Sequence, residues 1–111
     1  MRDDRSRLED ILEAIERIER YAARGRAAFE ADDLIQVWVL YHLQILGEAA
    51  RKLSDALRQR HPEVPWAQII AMRNILVHDY FGLDVVEVWA AVERDIPDLK
   101  RKIESILGLE R

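Results

Sequence analysis

Residues 33–60, DLIQVWVLYHLQILGEAARKLSDALRQR, are the stretch that decides the fold. Asp32 or Asp33 can cap a helix here, and we expect one long helix running to about Arg60. Its first half is apolar nearly all round, so it is either central in its own domain or shared with a partner subunit. Gly47 and its small neighbours in the second half would let another helix approach closely. Because the chain has only 111 residues, we expect self-association.

An amphipathic helix precedes this stretch. Ser6 and Glu9 have the spacing of a capping box, and apolar residues follow at three-and-four spacing. That stripe consists of Leu8, Ile11, Leu12, Ile15, Ile18 and Ala22. Gly25 is expected to end the helix, and residues 27–31, which carry Phe29, are expected to form a loose connector.

More helix follows residue 60. Residues 61–65, HPEVP, predict a break, because each proline pushes the residue before it out of the helical region. Trp66 then opens a helix that is expected to end around Tyr80. Asp84 and Glu87 give the next start signal, and a second apolar stripe runs from there almost to the end of the chain.

Pro97 lies within this last stripe. It is expected either to break or kink the helix, or to sit in the first turn of a new helix capped by Asp95. The sequence contains no strand pattern and no repeat. It therefore predicts an all-α fold, a bundle of four or five helices in one domain covering residues 1–111.

Composition excludes several classes of protein. The chain has no cysteine, and its three histidines, His42, His61 and His78, lack the spacing of metal ligands. No metal or cofactor is therefore predicted. No apolar run approaches the roughly 18 to 20 residues of a membrane span, and the charged N-terminal residues do not resemble a signal peptide. We expect a cytoplasmic protein with no membrane partner.

The net charge of −4 argues against a nonspecific nucleic-acid binder, whose affinity would come from clustered Lys and Arg. The charge is distributed unevenly, however. Residues 51–80 carry five Lys or Arg against three Asp or Glu, which makes them the net-positive part of the chain. A small basic patch can form there, but a broad basic face cannot.

That part of the chain contains a dense polar cluster inside an apolar run, MRNILVHDYFG at positions 72–82. Arg73, Asn74, His78 and Tyr80 supply a fixed cation, an amide, a group that titrates near neutrality and a phenol, the inventory of a phosphate-handling site. Arg73 and His78 are about 140° apart around a regular helix. For both to act on one substrate, the helix must unwind near His78, the Arg73 side chain must reach around, or a second subunit must complete the site.

The run from Arg73 to Tyr80, RNILVHDY, matches the R-x4-H-x-Y signature of the HEPN superfamily, in the form carried by HepT-type toxins. The resemblance extends over about residues 8–107 through further landmarks. These are ILGEAARKLS at 45–54, PEVPW at 62–66, YFGLD at 80–84, Trp89 and DIPDL at 95–99. The cluster together with these landmarks is far more specific than the spacing of Arg73 and His78 alone.

This resemblance implies an all-helical, homodimeric HEPN fold in which two motifs face a shared cleft and cut RNA without a metal. It further implies that the chain is the toxin of a toxin–antitoxin pair. The partner would be an MNT-type nucleotidyltransferase antitoxin, which can silence such toxins by adding AMP to the motif tyrosine, here Tyr80. The RNA substrate stays open, with tRNA and mRNA as candidates.

The resemblance and the residue chemistry together assign roles. Arg73 and His78 would be catalytic, with His78 moving a proton and Arg73 holding the scissile phosphate and neutralising charge in the transition state. Asn74 would orient His78 or a phosphate oxygen, and Tyr80 would contact substrate. Glu48 would support the site by pairing with Arg73 across a helix interface.

Each assignment has a structural alternative. Arg73 can form a purely structural ion pair, and a histidine near a helix C-terminus is favourable through the helix dipole alone. Trp38, Trp66 and Trp89 are expected in the core rather than as base-stacking platforms. The competing function is a HEPN-like dimer that partners a nucleotidyltransferase, or binds nucleotide, without cutting RNA, and the acidic net charge favours it.

Overall fold

The computed structural model describes residues 3–78 and 84–109, and for Val77 and His78 it describes the backbone alone. All regular structure in these residues is helical, which confirms the predicted all-α class for this part of the chain. The helices are α1 (Asp4–Ala22), α2 (Arg26–Ala31), α3 (Asp33–Arg51), α4 (Asp55–Arg60), α5 (Trp66–His78), α6 (Val85–Ala90) and α7 (Ile96–Leu107), with a π-helical segment, Ala91–Asp95, joining α6 to α7. None of these helices is long and apolar enough to cross a bilayer.

Helix α3 is the centre of the packing. It packs against α1 and also against α5, while α7 lies against α1, and α2 contacts both α3 and α6. The α3 side chains that enter the core include Val39, Leu43 and Leu46, each at most 4% exposed. Trp66 and Trp89 are buried in the same cluster, as expected, whereas Trp38 is only partly buried and its indole donates to the Arg17 carbonyl at 2.7 Å. The four long helical columns, α1, α3, α5 and α6–α7, therefore close around one shared apolar core.

One side of α3 carries apolar side chains that are not covered. Leu34 is 80% exposed, Val37 52% and Tyr41 59%, and their spacing places them on one face of the helix. We call these three residues the α3 apolar face. The apolar side chains around α3 therefore form two groups, one buried in the core and one exposed, as a helix shared with a partner would require.

The predicted single helix to Arg60 is wrong, because α3 ends at Arg51 and a separate helix begins at Asp55. Ser54 caps the new helix by accepting a hydrogen bond from the Leu57 N–H at 3.2 Å. Asp4 of α1 in turn accepts hydrogen bonds from the Ser54 N–H and Oγ, at 2.9 and 2.5 Å. The chain breaks here because a residue 50 positions away binds the backbone that would otherwise continue α3.

The predicted start of α1 is also wrong. Asp3, not Ser6, is the N-cap, since its carboxylate accepts a hydrogen bond from the Ser6 N–H at 2.8 Å. The helix therefore begins at Asp4, and the pairing of Ser6 with Glu9 is not its capping device. An acidic side chain at the N-cap satisfies a free N–H and also suits the helix dipole.

The expected loose connector is in fact the short helix α2. Its Phe29 is 1% exposed and packs on Trp89, with ring centroids 5.3 Å apart. Gly25 does not cap the end of α1, which stops at Ala22; it precedes α2 with a φ of 92°, a conformation that suits glycine. Burial of one aromatic side chain, rather than local propensity, explains why this segment is helical.

Three boundary predictions are confirmed. Asp32 accepts a hydrogen bond from the Leu34 N–H at 2.9 Å and caps α3. The break at residues 61–65 is present, and the Trp66 indole donates across it to the His61 carbonyl at 2.9 Å. Asp84 accepts from the Val86 N–H at 2.8 Å and caps α6. The predicted helix end near Tyr80 lies outside the described residues.

The chain stays helical through Pro97, which lies in the first turn of α7. The Ile96 N–H donates to the Ala91 carbonyl five residues back, which defines the preceding π segment. Proline has no N–H and its ring crowds the carbonyl four residues back, and the wider π turn accommodates both effects. The expected helix with Pro97 in its first turn is therefore found. Its expected cap is not, because the Asp95 side chain makes no capping hydrogen bond.

His42 is a buried polar residue of α3, only 6% exposed. Its ring lies between Trp38 and Tyr41, at centroid distances of 4.5 and 5.1 Å, and its buried Nδ1 has no hydrogen-bond partner among the residues that the structure describes. Burial lowers the pKa of His42, the charge of Arg17 lowers it further, and Glu13 opposes the shift. The core therefore favours a neutral His42.

We predict that His42 makes the fold sensitive to mild acid. Its pKa in the folded chain lies below the ordinary value of 6.5, so the unfolded chain binds more protons between those two values. Its contribution to stability is complete above the unfolded-state pKa and is lost as the pH falls through the folded-state pKa. Between about pH 7.5 and about pH 5, the melting temperature of the wild type should fall further than that of His42→Leu. Equal falls in the two proteins would contradict the assignment.

Candidate ribonuclease site

The candidate site lies where α3 and α5 approach each other most closely. A Cβ atom on Gly47 would lie 2.3 Å from the Cβ of Arg73 and 3.3 Å from the carbonyl oxygen of Ile69. Only a residue without a side chain fits at this point of α3. The expected close approach of a second helix at Gly47 is therefore confirmed, and it brings the base of the Arg73 side chain directly against the α3 backbone.

Arg73 is held from two sides. Its NH2 lies 2.8 Å from Glu48 Oε2 on α3, and its NH1 donates to Asn74 Oδ1 on α5 at 3.0 Å. The Arg73 and Glu48 side chains are only 22% and 31% exposed, and Arg73 Nε and Glu48 Oε2 are buried without a well-aligned hydrogen bond. The predicted pairing of Glu48 with Arg73 is confirmed, and it is chiefly an ionic contact in a partly dry setting.

Glu48 contacts two further cations. Its Oε1 lies 2.8 Å from Arg51 NH2 and 3.5 Å from Lys52 Nζ, both on the same helix face. The hydrogen bond from Arg51 is the main cause of a lowered pKa for Glu48; the charges of Arg51 and Arg73 and the hydrogen bond from Lys52 add to it, and burial opposes it. Glu48 therefore stays ionised at neutral pH and balances three cations at once.

The structure narrows the ways in which Arg73 and His78 can cooperate. Helix α5 includes His78 as its last residue, so the backbone does not unwind before it. The two backbone positions therefore lie about 140° apart around the helix axis. The His78 side chain and the whole of Tyr80 lie outside what the structure describes. Of the three routes, a long reach by Arg73 and completion by a second subunit remain.

Sequence reasoning missed a pocket that opens beside Arg73. It has a volume of about 370 Å³ and is lined by residues of α1, α3 and α5, among them Arg7, Glu48 and Arg73. Arg7 is 66 positions away from Arg73 in the sequence, so no local pattern could link them. Arg51 and Lys52, by contrast, lie three and four positions after Glu48, a spacing that predicts their contact with its carboxylate.

A second pocket lies away from these residues. It has a volume of about 150 Å³ between α3, α5 and the start of α7, and its walls are mostly apolar, with Leu43, Ile69 and Leu99 among them. Among the predicted site residues whose side chains the structure describes, Glu48, Arg73 and Asn74, none lines it. Although it is the better enclosed of the two, it lacks the cations that a phosphate-handling site needs, so the chemistry favours the pocket beside Arg73.

We predict that Gly47→Ala separates α3 from α5. Alanine in place of glycine inside a helix normally stabilises by about 0.5–1 kcal/mol. At Gly47 the added Cβ overlaps Arg73, and overpacking of this kind typically costs about 1–3 kcal/mol. Urea denaturation should therefore show a less stable protein, with Gln44→Ala on the exposed side of α3 as the control. A more stable Gly47→Ala protein would show that the contact is not tight.

Comparison with known proteins identifies the family of the chain. The family model described as "Ribonuclease HepT-like" matches residues 11–106. A Thermococcus cleftensis protein named "Probable ribonuclease HepT" is 41% identical over 108 residues, covering 95% of this chain and 96% of that protein. Proteins of Methanocaldococcus jannaschii and Caldanaerobacter subterraneus, both named as candidate RNases, are each 34% identical, covering 95% and 100% of this chain and 97% and 100% of theirs.

No solved structure shows a significant match. The family model, by contrast, spans almost the whole chain and includes Gly47, Glu48 and the polar cluster at 72–82. The chain belongs to the HepT-like ribonuclease family.

Proposed function

We propose that this chain is a metal-independent endoribonuclease of the HEPN type, with Arg73 and His78 as its catalytic residues. Membership of the HepT-like ribonuclease family and the R-x4-H-x-Y spacing at 73–80 support the proposal. The observation that carries it is the guanidinium of Arg73, which Glu48 and Asn74 hold in place beside an open pocket. A preorganised cation of this kind suits a site where negative charge develops.

RNA brings its own nucleophile, so the protein has to supply only position, proton transfer and charge stabilisation. The 2′-oxygen attacks the phosphorus as the bond to the 5′-oxygen breaks, which yields a 2′,3′-cyclic phosphate and a free 5′-hydroxyl. The 2′-hydroxyl loses a proton and the departing 5′-oxygen gains one. His78 moves a proton in this exchange, and Arg73 binds the phosphate oxygens, for which its planar fork is suited.

The first test is cleavage of end-labelled RNA in EDTA. The wild type should cut, leaving 2′,3′-cyclic phosphate ends. Removing one group that stabilises the transition state typically costs about 100-fold or more, so Arg73→Ala and His78→Ala should each lose at least that much activity. Arg101→Ala on α7, whose guanidinium pairs with Asp98, is the matched control and should cut as the wild type does. A folded wild type that cuts no RNA would contradict the proposal.

The active form is proposed to be a homodimer in which two motifs face a shared cleft. The α3 apolar face, Leu34, Val37 and Tyr41, is the surface that supports this, because water-exposed apolar groups on one face favour association. A second copy would also supply the groups that one helix cannot bring to the same side as Arg73.

We predict that Val37→Glu weakens the dimer by placing a charge in the proposed interface. Val86→Glu is a matched control, because Val37 and Val86 are 52% and 51% exposed and only Val37 lies on α3. Sedimentation velocity at several protein concentrations should show a dimer for the wild type and Val86→Glu, and a monomer for Val37→Glu. RNA cleavage should fall together with dimer content. A dimer that survives Val37→Glu would place the interface elsewhere.

The cellular role is proposed to be that of a toxin, held inactive by an MNT-type nucleotidyltransferase antitoxin that adds AMP to Tyr80. The motif tyrosine is present at the expected spacing after His78. A nucleotide added there would bring bulk and negative charge close to the motif and would repel an anionic substrate. Neighbouring genes that encode a nucleotidyltransferase would be in keeping with this role.

For the antitoxin, the decisive variant is Tyr80→Phe, which keeps the ring and removes the hydroxyl that would accept AMP. In cells that co-express the nucleotidyltransferase, the wild type should be modified and harmless, whereas Tyr80→Phe should stay unmodified and stop growth. Intact-mass measurement reports the modification. The same inhibition of both proteins would show that silencing does not depend on Tyr80. Tyr21→Phe on α1 serves as the control for loss of a hydroxyl.

Two observations favour a second candidate function, a helical module that partners a nucleotidyltransferase or binds nucleotide without cutting RNA. Glu48 already neutralises Arg73 in the folded chain, and the net charge of −4 disfavours polyanions. Two results together would favour this alternative. The wild type would assemble with the nucleotidyltransferase without cutting RNA, and His78→Ala would be as toxic as the wild type.

A further inference from the structure

The pocket beside Arg73 brings together cations from three helices. Arg7 of α1 and Arg73 of α5 line it directly, and Glu48 of α3 lies between them. Arg51 and Lys52 belong to the same group, because both contact the Glu48 carboxylate. In the lining of the pocket, Arg7 and Arg73 balance the carboxylates of Glu48 and Asp10. Arg51 and Lys52, which contact Glu48 without lining the pocket, add two positive charges beside it, although the chain as a whole has a net charge of −4.

The contacts of Glu48 show that this group of cations binds an oxyanion. Arg73 holds Oε2 at 2.8 Å, while Arg51 and Lys52 hold Oε1 at 2.8 and 3.5 Å. Carboxylate and phosphate oxygens are recognised by the same charged donors. A phosphate that enters the pocket can therefore take over some of these donors, and Glu48 keeps at least one cation of its own helix as a partner.

The pocket is too large for the scissile phosphate alone. Its volume of about 370 Å³ and its position between α1, α3 and α5 leave room for more of an RNA strand than one phosphate. Tyr41, which belongs to the α3 apolar face, also lines it. The pocket therefore adjoins the surface on which a second copy is proposed to dock, as a cleft shared by two sites would.

We propose that this pocket and its edge form a binding subsite for the RNA phosphates that flank the scissile one, with Arg7 on the pocket wall and Lys52 beside Glu48 as the principal binding cations. The inference rests on the proposed ribonuclease function and adds the path of the substrate to it. Arg73 acts on the reacting phosphate, whereas Arg7 and Lys52 hold neighbouring phosphates and carry no reacting group. Their contribution is electrostatic, so it depends on salt and not on RNA sequence.

The test measures binding of a fluorescein-labelled 2′-O-methyl oligoribonucleotide of mixed sequence, which lacks the attacking hydroxyl and so stays intact. Anisotropy titrations over a range of KCl concentrations give the slope of log Kd against log salt. Each phosphate contact on a single strand contributes about 0.7 to that slope, so Arg7→Gln and Lys52→Gln should each lower it by about 0.7 and weaken binding about fivefold at roughly 0.1 M salt. Lys52→Arg should bind as the wild type does.

Arg101→Gln removes the same charge from α7, which contributes no residue to the pocket, and it should leave both the slope and the Kd unchanged. Cleavage of unmodified RNA, measured alongside, should show that KM rises more than kcat falls in Arg7→Gln and Lys52→Gln. A wild type that cuts RNA while both variants keep its slope and KM would overturn the subsite and leave the ribonuclease intact.

The ribonuclease proposal can also fail while the subsite is supported. A wild type that binds the 2′-O-methyl strand with the expected slope losses, but cuts no RNA, would support the subsite and refute the nuclease. A salt slope that falls equally in Arg101→Gln would show only general charge attraction and would overturn the subsite. Absence of binding by the wild type would overturn it as well.

Discussion

The site depends on the close contact between α3 and α5, which is possible because Gly47 has no side chain. Because α3 presents bare backbone there, the Cβ of Arg73 can lie where a second Cβ would otherwise be, and the two helices approach closely enough for Glu48 to meet the guanidinium at 2.8 Å. Helix packing and site geometry are thus one constraint, since a change in the spacing of α3 and α5 moves the Arg73 guanidinium.

The same helix explains why the protein is proposed to work as a pair. Side chains of α3 that face α1 and α5 fill the core, while Leu34, Val37 and Tyr41 remain in water. In the proposed dimer, this face would be buried instead of being left in water. A regular helix through His78 also keeps the two motif positions about 140° apart. Both facts point to a second copy as the simplest way to bring proton transfer and charge stabilisation to one phosphate.

Local chemistry was enough to predict part of this structure from sequence. Asp32 and Asp84 cap helices because a short carboxylate before an apolar stripe satisfies the first free N–H groups, and two prolines end α4 whatever surrounds them. The pairing of Glu48 with Arg73 could be predicted because each lies in a conspicuous pattern. The break at Ser54 and the helix at Phe29 could not, since they depend on Asp4 and Trp89, residues far away in the sequence. Arg7 could not be predicted as a site residue for the same reason, because it is far from Arg73 in the sequence.

The balance of charge around Glu48 matters both for the empty site and for the proposed binding of substrate. Glu48 stays ionised because hydrogen bonds and nearby cations hold its pKa low, so the buried Arg73 guanidinium is compensated before any substrate arrives. An uncompensated cation at that depth would destabilise the fold, and an exposed one would bind any polyanion weakly. Since Glu48 also contacts Arg51 and Lys52, it can release Arg73 to a phosphate without being left unpaired. An acidic protein can in this way keep a basic site that is stable when empty and available to an RNA strand that reaches it.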